Sequence, residues 1–190
     1  SNLLWFHESW YLRQGICHNI DPIMHCVFHG VLSDMFELII RVFVPFGIQR
    51  YGFRRFMNQR LIGLKKLGNP FFEAVPFSEK ANNEFSFSGW VGGNKTALCF
   101  ILRYLLSHLR QFLLHHCPHR ANKEREQKWK DEMEATWREV IDLVHAFECL
   151  ASRLLSQEIS EELVEDVDEY AKLFITLYTN LEIERNGVEF

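Results

Sequence analysis

No stretch of this 190-residue sequence stays apolar long enough to cross a membrane. The longest such run, Phe36 to Phe46, is interrupted by Glu37 and Arg41. No basic-then-apolar leader opens the chain, which argues against secretion. The five Cys are an odd number without the regular spacing of a disulfide framework, so free thiols in a reducing, intracellular compartment are expected. Alternation of apolar and polar residues, the mark of a half-buried strand, is missing throughout, and so is any internal repeat. There is no Gly-x-Ser-x-Gly, and no Cys lies where its pKa would be lowered by anything beyond neighbouring His, so conventional hydrolase chemistry is not indicated. Gly92-Gly93-Asn94-Lys95-Thr96 looks superficially like a phosphate loop. It lacks the first Gly at the required spacing and a preceding strand, and helix capping by Asn94 or Thr96 is the expectation there. The chain begins Ser-Asn-Leu-Leu-Trp without an initiator Met, which reads as a processed chain or as part of a longer protein.

What is present is apolar bulk at helical spacing. Hydrophobic residues make up 47% and charged residues 24%, the balance of a globular chain, with seventeen Phe and five Trp as core material. Trp5 to Leu12 forms a short amphipathic piece broken by Gly15. Asp21-Pro22 then starts a helix in which Met24, Val27, Phe28, Val31, Met35, Leu38, Ile39 and Val42 define a face for burial, and Pro45-Phe46-Gly47 ends it. Residues 51–67 read as a second helix. An irregular Phe- and Gly-rich loop follows over 68–93, too apolar for a free linker. Helices are expected at 97–116, stopped by Pro118, at 122 to about 155, and from a Ser160 cap through Tyr178. The first turns of the 122–155 helix are polar and are expected to project into solvent. The fold class is therefore all-α: about five main helices in an orthogonal or bundle-like array, forming one domain over 1–190 whose residues 131–190 are acidic helices.

The formal net charge of −4 conceals a division. Residues 1–130 carry 17 Lys and Arg against 9 acids, and residues 131–190 carry 4 against 16. Between Arg41 and Phe72 there is no acid, while Arg50, Arg54, Arg55, Arg60, Lys65 and Lys66 crowd one segment. Such a segment attracts phosphate backbones by releasing their condensed counterions. The bland alternative is a solvated basic face that pairs with the acidic C-terminal third.

Two constellations could carry other chemistry. Six of the nine His lie in two short clusters with Cys17, Cys26 and Cys117. Cys26 and His29 stand about one helical turn apart, and Cys117 with His119 could complete a tetrahedral zinc site, although no C-x2-C pair is present. Asp21, Asp34 and Glu37 are carboxylates near the first long helix, but no spacing singles out a pair for two-metal catalysis.

The string Asp21-Pro22-Ile23-Met24-His25-Cys26-Val27-Phe28-His29, followed by apolar Phe36-Glu37-Leu38-Ile39-Ile40, resembles a segment of eukaryotic cut-and-paste transposases. These are the DDE enzymes with an RNase H-like core, in the group that includes CACTA- and hAT-type elements. Cys26-x2-His29 fits the Cys form of their motif, whereas Asp21 to His25 is one residue longer than the Asp-x2-His form. Phe87 to Trp90, ahead of an apolar helix, looks like a later part of such proteins. The resemblance spans residues 17–44. It implies the helical and C-terminal part of a transposase-derived protein, nuclear, unable to carry out strand transfer alone, and with Mg²⁺ only in a complete enzyme. The final catalytic Glu of that family would fall at Glu134, Glu139 or Glu148. The sequence thus points to a DNA-binding helical fragment, with a non-enzymatic protein-interaction or scaffold module, self-associating or partnered, as the alternative.

Overall fold

A computed structural model describes the backbone at 27, 30–48, 53–66, 78–79, 85–86, 92–119, 121–156 and 160–186. Within α2, α3 and α5 the side chains described are those of 55–63, 98–99, 101–115 and 161–183. Asp21 to Cys26, His29 and the piece at Trp5 to Leu12 lie outside these residues.

Five helices account for nearly all of the described backbone: α1 (Leu32–Val42), α2 (Phe53–Lys66), α3 (Gly92–His115), α4 (Lys123–Leu154) and α5 (Glu161–Asn186). The all-α expectation holds. The one extended pairing among the described residues is a two-residue antiparallel ladder, Ser78 opposite Ser86 and Glu79 opposite Phe85. It falls within the stretch read as an irregular loop.

Each boundary has a local cause. Val42 ends α1 because a short 3-10 turn at Val44-Pro45-Phe46 follows, with Pro45 lacking the N–H that a continuing helix would need. Gly47 closes that turn at φ 89°, a left-handed conformation open to glycine, and donates its N–H to the Val44 carbonyl. Asn122 caps α4 by accepting the Arg125 N–H at 3.1 Å, and Ser160 Oγ accepts that of Leu163 at 3.1 Å at the head of α5. The start of α3 differs from expectation. It begins at Gly92, five residues before Ala97, so Asn94 and Thr96 lie inside its first turns instead of capping it. The first N–H groups of any helix have no intrahelical partner, so a glycine pair costs less there than in a helix interior.

The principal helix neighbours are α2 with α3, α3 with α4, α4 with α5, and α5 with α1. Leu32, Met35, Phe36, Leu38, Ile39 and Val42 of α1 are all buried, so one broad face of this short helix is covered while Asp34, Glu37 and Arg41 stay exposed opposite it. Phe147 of α4 stacks obliquely on Phe174 of α5 at 5.5 Å between ring centroids. Phe46 meets Trp129 edge-on at 5.7 Å and ties the turn after α1 to the N-terminal half of α4. Ahead of Trp129 the side chains of 121–128 are exposed, apart from a half-buried Glu126, as their polarity requires.

Candidate nucleic-acid interface

Among the described side chains of α2, apolar residues turn inward and basic ones outward, with Ile62 exposed beside the latter. Met57 and Leu61 are buried, and Phe56 packs on Phe112 of α3 at 4.8 Å between ring centroids. Arg55, Gln59 and Arg60 are exposed. Arg60 folds its guanidinium over the Phe56 ring, 5.0 Å from the centroid, an i,i+4 cation–π contact within the helix. Neither Arg55 nor Arg60 has a carboxylate partner among the described residues. Arg54, Lys65 and Lys66 lie on the same helix, with side chains outside the described residues, as Arg50 is entirely.

Several cations elsewhere are held by carboxylates, although exposed Arg41, Lys123, Arg125 and Arg138 have no carboxylate partner among the described residues either. Arg110 of α3 makes a bidentate pair with Glu134 of α4, through Nε to Oε2 at 2.9 Å and Nη2 to Oε1 at 2.5 Å, and lies over the Trp137 ring. Arg153 of α4 donates to Asp166 of α5 at 3.2 Å and covers Tyr170. Lys130 pairs with Glu126 and Lys172 with Asp168, each one turn away on its own helix. Arg103 of α3 holds Glu148 of α4 at 2.5 Å and also donates to Nδ1 of His145. Four acids of the C-terminal third, Glu134, Glu148, Asp166 and Asp168, are thus held by cations of α3, α4 and α5.

Glu134, Glu139 and Glu148, the candidates for a final catalytic Glu, do not converge. Glu134 and Glu148 are fourteen positions apart on α4, about 21 Å along a helix rising ~1.5 Å per residue. Each is engaged by its own arginine, and Glu139 is an exposed residue with an interaction of its own. Burial holds the Glu148 carboxyl above its ordinary range even though Arg103 and His145 pull it down. A second acidic grouping joins Asp34 and Glu37, three positions apart on α1, to Glu182 of α5 through tertiary packing. The Asp34 carboxyl is raised first by burial and then by the other two charges. The same grouping helps push Tyr178 up to about 12, with burial again the main cause.

Sequence reasoning also missed an open groove between α3 and α4 lined by Arg103, His145, Glu148, Cys149 and Ser152. Cys149 Sγ lies 3.8 Å from His145 Nδ1 and 3.9 Å from Nε2. Arg103 donates to Nδ1, so in a neutral imidazole the proton sits on Nε2 and neither nitrogen is left to take the thiol proton. A working Cys–His dyad is therefore not assembled. Cys99, one turn before Arg103 on α3, is buried and its thiol is pushed up to about 12 by burial and by Glu148. No sequence signal could have joined positions 103, 145 and 148, because the α3–α4 packing creates their proximity.

Of the four residues considered for zinc, Cys117 is buried with a free thiol and His119 is half-buried in the turn after α3. Cys26 and His29 lie outside the described residues. His116 donates from Nδ1 to the Phe112 carbonyl at 2.8 Å, the satisfied helix-end role available to a histidine there. Among the described residues no group of three or more His, Cys, Asp or Glu side chains stands close enough to hold a metal ion, and no helix is long and apolar enough to cross a membrane. No family model matches this chain, nor does any curated protein or any solved structure.

Proposed function

We propose that this chain is a DNA-binding helical part of a transposase-derived protein, not catalytic by itself, with α2 as the phosphate-contacting element. The observation that carries this reading is the acid-free run of cations on α2, whose described arginines are exposed and unbridged. Arg103, Arg110 and Arg153 are taken up by Glu148, Glu134 and Asp166, while Arg55 and Arg60 face solvent without a carboxylate among the described residues. A cation already paired must break its bridge to bind a phosphate, whereas an unpaired one sheds only loosely held water and counterions. Arg50, Arg54, Lys65 and Lys66 extend the same acid-free segment.

A short duplex titrated at low salt tests this. Arg55→Glu with Arg60→Glu should weaken binding at least tenfold, because each reversal removes one attraction and adds one repulsion. Failure of the wild-type chain to bind any duplex at low salt overturns the proposal.

A second reading, a helical protein-interaction module, draws on α5. Leu173 and Ile183 are 45% and 60% exposed on the acid-rich C-terminal helix. A self-association between basic and acidic parts would be loosened by high salt and would not compete with DNA, and sedimentation across a salt series separates the two readings.

A further inference from the structure

The seam between α2 and α3 holds a side chain that phosphate contacts by α2 do not by themselves explain. His108, midway along α3, has both ring nitrogens shut off from solvent and without a hydrogen-bond partner. Tyr104 covers its ring edge-on at 4.4 Å between centroids, and Phe56 of α2 meets it at 6.4 Å. Phe56 is the ring that carries the Arg60 guanidinium. A neutral imidazole has one N–H and one lone pair, and leaving both unused inside a packed seam is a standing cost. Burial first, and then the charge of Arg60, hold His108 below its usual value of 6.5. Among the described residues Arg60, from α2, is the charged group acting on it, and Tyr104, one turn back on α3, is its titratable neighbour.

We infer that this seam, formed by Phe56, Arg60, Tyr104 and His108, is a phosphate subsite in which an anion seated on Arg60 draws a proton onto His108. The inference rests on α2 being the phosphate-binding element. An anion on Arg60 cancels the field that keeps the imidazole neutral and lends the imidazolium a nearby counter-charge. Binding and protonation then reinforce each other reciprocally. His108 titrates below 6.5 in the free chain, and bound phosphate moves its midpoint upward. Affinity is therefore flat well above the bound-state midpoint, strengthens as pH falls through it, and levels off below the free-state midpoint. A rise of half a unit corresponds to about a threefold gain in affinity across that window.

The full chain is titrated with a short DNA duplex and, separately, with inorganic phosphate, between about pH 8 and about pH 5.5. Wild type is compared with His108→Gln, and the His108 imidazole is followed by NMR. The wild type should gain about threefold more DNA affinity on acidification than His108→Gln, other histidines contributing equally to both. Saturating DNA should raise the His108 midpoint. Arg60→Gln should raise it in the free chain and remove the further rise on adding DNA. The NMR readout on wild type stands even where the glutamine variant folds poorly. A midpoint moved by DNA alone assigns the site to a nucleic-acid backbone, and one moved by inorganic phosphate as well assigns it to phosphate in general. DNA binding with equal pH dependence in both chains, or with a His108 midpoint that neither ligand moves, overturns the subsite and leaves the α2 reading intact. An absence of DNA binding at every pH overturns both.

Discussion

Two glycines make opposite demands on a methyl group. Gly47 sits at φ 89°, where a Cβ is forced against the following carbonyl, so Gly47→Ala should destabilise the fold by about 1–2 kcal/mol. Gly63 lies inside α2 with nothing within 4 Å of the position its Cβ would occupy, and Gly63→Ala should stabilise by about 1 kcal/mol through helix propensity and a less free unfolded chain. Urea denaturation of the two variants beside wild type gives both signs at once. Asp34 offers a third test at this scale. Its carboxyl is raised in the folded chain by burial, Glu37 and Glu182, so its contribution to stability is present in acid and lost as pH rises through the folded-state value. Asp34→Asn should therefore melt at a higher temperature than wild type near neutral pH, with the difference closing as the pH falls toward about 4. A variant that melts lower than wild type at neutral pH would show that this carboxylate has a stabilising partner instead.

At the scale of elements, the α4–α5 seam is the largest helix contact among the described residues, and Phe147 and Phe174 are both buried within it. Phe147→Ala should cost about 3–5 kcal/mol in equilibrium unfolding, the sum of lost burial and an unfilled cavity. A loss below about 1 kcal/mol would mean that the seam collapses around the gap. The helices themselves were legible wherever their ends are set by local chemistry. Ser160 and Pro45-Phe46-Gly47 act where the sequence places them, because a cap or a left-handed turn needs only its immediate neighbours, and Asn122, read as the first residue of its helix, caps it instead. The start of α3 was not legible, since Gly92 and Gly93 read as loop by propensity and yet are helical in the fold. Glu182 beside Asp34, and Arg103 on Glu148 and His145, could not be read either. Each pairs residues from helices whose relative placement the sequence pattern leaves open.

Over the whole molecule, the decisive feature is where opposite charges meet. The count of 16 acids against 4 cations in residues 131–190 suggested either a free acidic surface or one paired with the basic segment. The structure pairs Glu134, Glu148 and Asp166 with Arg110, Arg103 and Arg153. Among the described residues, Arg55 and Arg60 stand outside that pairing. Basic residues were legible as a segment, but which of them remain available depended on helix packing. The most direct measurement is the salt dependence of duplex binding by wild type, by Arg55→Gln with Arg60→Gln, and by Arg103→Gln with Arg153→Gln. Losing two phosphate contacts should reduce the slope of log affinity against log salt by about 1.8 in the α2 pair, and the α3–α4 pair should keep the wild-type slope. A slope unchanged by the α2 substitutions, or reduced equally by the other two, would contradict the assignment of phosphate contact to α2.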